Sequence, residues 1–214
     1  MLHSIMGWER AWPELLEAFG IAYLIGSIPF GILISALFGL GDLRKVGSGN
    51  IGATNVLRTG NKAAAALTLV MDMLKGLLPV WWFLTHEGDL AAQAAALGAV
   101  LGHCLPIWLK FKGGKGVATF LGAMLGLSLL CGAATCATWL VGAALTRISS
   151  AAAILAAAAA PVWFLLLDGP RAVLCAALLA IWVILRHHEN IRRLLNGTEP
   201  RIGGSSTRTG QNKT

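Results

Sequence analysis

VATFLGAMLGLSLLCGAATCATWLVGAALT, residues 117–146, runs without a single charge, and its reading decides the fold. A membrane-crossing helix needs about 20 apolar residues, so the stretch is long for one crossing and short for two. The flanking charges arbitrate. With one crossing, the loop at 110–116 lies on one side, Arg147 on the other, and Arg186, Arg192 and Arg193 end up opposite the basic loops. With two crossings, broken near Cys131-Gly132, every Lys and Arg except Arg10, Lys75 and Arg171 shares one side, while Glu9, Glu14, Glu17, Glu87, Asp89 and Asp168 lie opposite. Basic residues in short loops stay in the cytoplasm, although acidic ones count for little in that rule. The sequence therefore predicts an all-α membrane protein of seven transmembrane helices, with the N-terminus outside (periplasmic or extracellular) and the C-terminus cytoplasmic.

Composition agrees. The 214 residues are 56% apolar and only 13% charged, against about 25% charged in an ordinary soluble domain. The net charge of +7 falls mostly in short loops beside the apolar runs, a membrane-orientation pattern rather than a nucleic-acid footprint. Cys104, Cys131, Cys136 and Cys175 lie in apolar runs without a CxxC pair and read as small buried hydrophobes. The acidic N-terminal stretch does not look like a cleavable signal peptide. The expected organisation is a single membrane domain over 1–202 and a polar, disordered tail over 203–214.

The remaining crossings are expected at about 15–40, 63–85, 90–109, 148–167 and 172–185. Pro29, within Gly26-Ser27-Ile28-Pro29-Phe30-Gly31, should kink the first. Asp72 and Lys75 are three apart in the second, a spacing that favours a self-neutralising structural ion pair over a polar lining of the active face. His103 near a helix end is a minor candidate only.

Four polar clusters fall on the cytoplasmic side. The first is the loop 41–62, where Gly47, Gly49 and Gly52 let N–H groups converge on an anion. Ser48, Asn50, Thr54 and Asn55 add donors there, and Arg58 adds a guanidinium fork. The second, Lys110-Phe111-Lys112-Gly113-Gly114-Lys115-Gly116, opens a helix whose free N–H groups and dipole suit an anion. It is not a Walker A loop, because Gly116 follows Lys115. Ser149-Ser150 is the third. The fourth is His187 with Asn190 on one helix face, beside Glu189, which can pair with Arg192 or Arg193. No carboxylate pair, Ser-x-x-Lys or Gly-x-Ser-x-Gly occurs in these clusters. They suit a phosphate-bearing substrate meeting a lipid-facing one.

Gly26–Gly31, Gly47–Arg58, Phe111–Thr119 and Arg186–Ile191, in this order, resemble the bacterial acyl-phosphate:glycerol-3-phosphate acyltransferase family (the PlsY-type integral membrane enzymes) over about residues 20–202. The resemblance implies transfer of an acyl group from acyl phosphate to the 1-hydroxyl of glycerol-3-phosphate. The products would be lysophosphatidic acid and inorganic phosphate, in the first step of phospholipid biosynthesis at the inner (plasma) membrane. It also implies that Ser48, Thr54, Arg58, Lys115, His187 and Asn190 surround the phosphate and the reacting centre. Gly47, Gly49, Asn50, Lys112, Gly113, Gly114, Gly116, Ser149 and Ser150 would complete the substrate contacts, with Glu189 structural beside Asp72 and Lys75. Where the family often carries a serine-rich string, this chain has Ser149-Ser150-Ala151, so which serine reaches the phosphate is open. An acyl phosphate is already activated, so no metal, cofactor or protein nucleophile is expected. Either His187 or the substrate phosphate takes the hydroxyl proton. The expected state is a monomer in lipid, binding no nucleic acid. The competing class is an anion or lipid-phosphate transporter, but such proteins place their site near the midplane between repeats, and no repeat is found here.

Overall fold

The computed structural model describes residues 2–203, with side chains from residue 12 onward. The expected disordered tail therefore lies outside the described residues apart from Gly203. Every regular element among them is helical: α1 (Leu2–Gly26), α2 (Phe30–Leu37), α3 (Ala53–Leu57), α4 (Lys62–His86), α5 (Asp89–Cys104), α6 (Val117–Leu127), α7 (Leu129–Thr146), α8 (Ser149–Leu167), α9 (Val173–Arg186) and α10 (His188–Leu195). Five segments are long and apolar enough to cross a membrane: Trp12–Leu37, Lys62–His86, Asp89–Leu109, Leu129–Thr146 and Ser149–Leu167. The pair α9–α10, bent by 62°, meets the same criterion when its two helices are taken as one span, which would bring the number to six. Helix α6 has 11 residues, about 16 Å at 1.5 Å per residue, roughly half the hydrocarbon thickness.

The packing is inverted relative to a water-soluble core. Small residues fill the interior: Ala92, Ala95, Ala96, Ala99, Ala156, Ala157 and Ala160 are buried. Leu145, Leu166 and Leu174 are 80%, 67% and 71% exposed, as expected where lipid is the solvent. Backbones that approach closely gain van der Waals contact where the hydrophobic effect gives none. Two glycine pairs make this possible. A Cβ on Gly98 or Gly102 would meet the Phe19 or Tyr23 carbonyl of α1 at 2.3 and 2.2 Å, and one on Gly122 or Gly126 would meet the Met73 or Leu77 carbonyl of α4 at 2.0 and 2.8 Å. Glycines four apart put both close approaches on one face.

The uncharged stretch is indeed two helices, but the break is at Ser128, not at Cys131-Gly132. The Ser128 hydroxyl caps α7 by accepting from Cys131 N at 3.5 Å. Gly132 lies inside α7, where a Cβ would sit 2.4 Å from the Leu125 Cα of α6. Residues seven apart touch only if the chain doubles back, so α6 and α7 form a hairpin. Its turn lies at one end of the molecule: Arg171 there donates to Leu127 O and pairs with Asp89 and Asp168. Lys115 and Arg147, at the other ends of α6 and α7, lie together at the opposite end, since Lys115 bonds Asn190 and the Arg147 carbonyl accepts from Ile202 N.

Pro29 does more than kink the first segment: it separates α1 from α2. Lys75 Nζ donates to Ile28 O at 2.8 Å while pairing with Asp72 at 2.7 Å, and Trp108 Nε1 donates to Ser27 Oγ at 2.7 Å. The buried ion pair thus braces a carbonyl at the break between α1 and α2, which also accepts from Phe30 N at 3.0 Å, with His103 Nδ1 3.7 Å from Asp72.

Candidate active site

The loop from 38 to 61 is tied by Asn55, a buried side chain. Its Nδ2 donates to Leu43 O and Val46 O, both at 3.0 Å, and its Oδ1 accepts from Ser48 N at 3.3 Å and Arg58 Nη1 at 3.4 Å. One amide therefore holds Ser48 and Arg58 against the same turn. Gly47 has φ +50, and a Cβ there would strike Arg58 Nη1 at 2.9 Å, so glycine is needed both for backbone and for space. Ser48, Thr54 and Arg58 remain exposed. Thr54 Oγ1 lies 3.2 Å from Ser149 Oγ, joining this loop to the start of α8.

The second loop behaves differently from its glycine-cradle reading. Gly113 N donates to Cys104 O and Gly114 N to His103 O, both at 3.1 Å, so these two N–H groups are committed to the end of α5. Gly114 lies on the His103 ring, where a Cβ would be 2.2 Å from Nε2. Arg186 Nη2 donates to Gly114 O at 3.0 Å. Gly116, at φ +81, turns the chain into α6. The loop is clamped below and held from the side, and Lys115 is the cation it presents; Lys112 is exposed.

Lys115 Nζ donates to Asn190 Oδ1 at 2.5 Å. Burial lowers its pKa, and the Arg193 guanidinium lowers it further. His187 occupies the bend between α9 and α10 and is buried. Its Nδ1 lies 2.7 Å from Val183 O; because a carbonyl can only accept, the proton is on Nδ1 and Nε2 is left as an acceptor.

The fourth cluster contains a group that the sequence reading passed over. Glu199 accepts from Ser150 Oγ at 2.7 Å, Asn190 Nδ2 at 2.5 Å and Arg193 Nε at 2.6 Å. Burial pushes its pKa up, but these hydrogen bonds outweigh burial and hold it below the ordinary carboxylate range. The carboxylate partner of Arg193 is therefore Glu199, while Glu189 is exposed. The signal available in sequence was a lone acid in Gly197-Thr198-Glu199-Pro200 directly after a basic helix.

At one end of the bundle, then, Ser48, Arg58, Thr54, Ser149, Ser150, Lys115, Asn190 and His187 sit on linked elements. Between α1, α2 and α4 runs an apolar groove of about 480 Å³, lined by Ile21, Ile25, Phe30, Met71, Leu78 and Trp82 among others, with Lys75 its one charge. Gly31, next to Phe30, packs against the Ile51 carbonyl of the first loop, which brings the groove up to the polar end. A helical membrane protein with cations and hydroxyls beside an alkyl-sized groove is built to join a small phosphorylated molecule to a lipid chain.

Known proteins bear this out. A sequence profile of the glycerol-3-phosphate acyltransferase family matches residues 16–197. The chain is 60% identical over 195 residues to the glycerol-3-phosphate acyltransferase of Ruegeria sp. (strain TM1040), covering 91% of this chain and 96% of that one. It is 56% identical over 183 residues to that of Cereibacter sphaeroides (strain ATCC 17025), covering 86% and 87%. The crystal structure of PlsY, an integral membrane glycerol 3-phosphate acyltransferase, in its glycerol 3-phosphate form matches with a TM-score of 0.84 at 40% identity, over 88% of this chain and 96% of that one. Its lysophosphatidic acid form matches with a TM-score of 0.80 at 36% identity, over 89% and 96%. The chain belongs to the glycerol-3-phosphate acyltransferase family of integral membrane enzymes.

Proposed function

We propose that the acyl donor is an acyl phosphate, that the acceptor is the 1-hydroxyl of glycerol-3-phosphate, and that both meet at the polar end described above. The single observation that carries this is the linked set Arg58, Lys115, Ser48, Thr54 and Ser149, which offers two cations and three hydroxyls beside an apolar groove. The acceptor hydroxyl oxygen attacks the acyl carbon, the bond from that carbon to the phosphate oxygen breaks, and inorganic phosphate leaves. Arg58 and Lys115 stabilise charge on the two phosphates. His187, neutral and with Nε2 as acceptor, orients the hydroxyl or takes its proton; the departing phosphate is the alternative acceptor. No step requires a metal, a cofactor or a covalent enzyme intermediate. Gly116 and the first turn of α6 add N–H groups toward the anion, with Gly47, Gly49, Asn50 and Lys112 at the rim. Residues 71–83 of α4, which flank the groove, span about 18 Å, enough for a long acyl chain.

The same reading has residues 1–202 as one domain of seven crossings, monomeric, in the bacterial inner or plasma membrane. The N-terminus is outside and the polar end faces the cytoplasm, where basic loops are retained. The hairpin of α6 and α7 supports the even passage that this orientation needs. Purified protein given acyl phosphate and labelled glycerol-3-phosphate should make lysophosphatidic acid and inorganic phosphate in equal amounts. No product would overturn the donor assignment, and passage of the label into sealed vesicles without acylation would point to transport.

A further inference from the structure

Glu199 lies beyond the last motif, yet its side chain is only 5% exposed and its carboxylate is met by donors from two helices. Oε1 accepts from Ser150 Oγ of α8 and Asn190 Nδ2 of α10, and Oε2 from Arg193 Nε. A carboxylate can only accept these bonds and an ammonium can only donate, so the Asn190 amide has one orientation between them: Nδ2 toward Glu199, Oδ1 toward Lys115. The segment that delivers Glu199 is fixed at both ends. Thr198 N donates to Arg193 O at 2.8 Å, Gly197 takes φ +68 to make the turn, and Ile202 N donates to Arg147 O at 2.6 Å in the turn between α7 and α8.

We propose that Glu199 is a positioning residue for acyl transfer: it sets the amide of Asn190 and, through that amide, aims the Lys115 ammonium at the phosphate of glycerol-3-phosphate. The inference rests on the assignment of Lys115 to that phosphate. Glu199 is poorly placed to take the hydroxyl proton itself, because both of its oxygens already accept strong bonds and its carboxyl is held ionised below the ordinary range. Simple neutralisation of the basic face would need only the Arg193 pair. The bonds to Ser150 and Asn190 are surplus to that task and are the ones that transmit position.

Steady-state kinetics on the purified full chain in detergent test this, with thermal midpoints to verify folding. Glu199→Ala should raise KM for glycerol-3-phosphate by about tenfold or more, the loss expected when a charge-assisted hydrogen bond is removed, while KM for acyl phosphate stays within about threefold. Glu199→Gln keeps one acceptor oxygen for Ser150 and Asn190 and should lose less. In a Lys115→Ala background, removing Glu199 should cost under about threefold, because residues acting on one contact are not additive. An unchanged KM for glycerol-3-phosphate, an equal loss with both substrates, or the same loss with and without Lys115 would overturn the proposal. If Glu199→Ala does not fold, the same comparison made with Glu199→Gln decides. Lys115→Ala with wild-type kinetics would instead bring down the underlying site assignment, whereas a sensitive Lys115 with an inert Glu199 removes only the positioning role.

Discussion

Lys115→Ala should lower kcat/KM for glycerol-3-phosphate by about 10²–10³, the loss typical of removing one preorganised electrostatic contact at a reacting centre. The side chain is half-buried, and the loop beneath it is clamped by Gly113 and Gly114 to the end of α5. The ammonium is therefore presented from a rigid support and cannot be replaced by a neighbouring lysine swinging in. Lys112 is exposed on the same loop but has no such support. Lys115→Arg should recover only part of the loss, since a planar fork does not fit a contact built for a compact cation bonded to a single amide oxygen at 2.5 Å. Kinetics for each substrate separately would check this, and a loss confined to the acyl donor would contradict the placement.

The second large effect is on folding. Gly122→Leu should abolish recovery of folded, monodisperse protein in detergent, because even the first side-chain atom would fall 2.0 Å from the Met73 carbonyl oxygen. That oxygen belongs to the backbone of α4 and cannot move aside without parting α4 from α6. Gly122→Ala meets the same oxygen and should lower the thermal midpoint clearly, whereas Gly20→Ala, which meets nothing within 4 Å, should leave it almost unchanged. Size-exclusion profiles and thermal midpoints of the three variants measure the prediction. In lipid, close backbone approach is a main source of helix association, so this contact should matter more than its size would indicate in water.

Much of the architecture could be read from charge and apolarity. The two-helix reading of 117–146 follows from Arg147 and the loop at 110–116 needing the same side, and the hairpin at Ser128 agrees with it. The break, expected near Cys131-Gly132, falls at Ser128, and the missing side chain of Gly132 serves contact with Leu125. The three-residue spacing of Asp72 and Lys75 announces their pairing. That Lys75 also braces Ile28 O, 47 residues away, is a long-range contact no local pattern encodes. The same limit hid Glu199, whose bond to Ser150 spans 49 residues. It also led Arg193 to be paired with the nearer Glu189, when the turn at Gly197 brings Glu199 into place. Glycine content marked the loop at 113–116 as special, but it could not distinguish N–H groups aimed at a ligand from N–H groups spent on Cys104 O and His103 O.

In the proposed reaction one polar end of the bundle, built on Arg58 and Lys115, holds the phosphate of glycerol-3-phosphate. Calorimetric titration of glycerol-3-phosphate alone into purified protein tests it most directly, in the wild type and in the folded double variant Arg58→Ala/Lys115→Ala. Saturable one-to-one binding to the wild type and none detectable with the double variant are the expected results. Equal affinity for both proteins would contradict it.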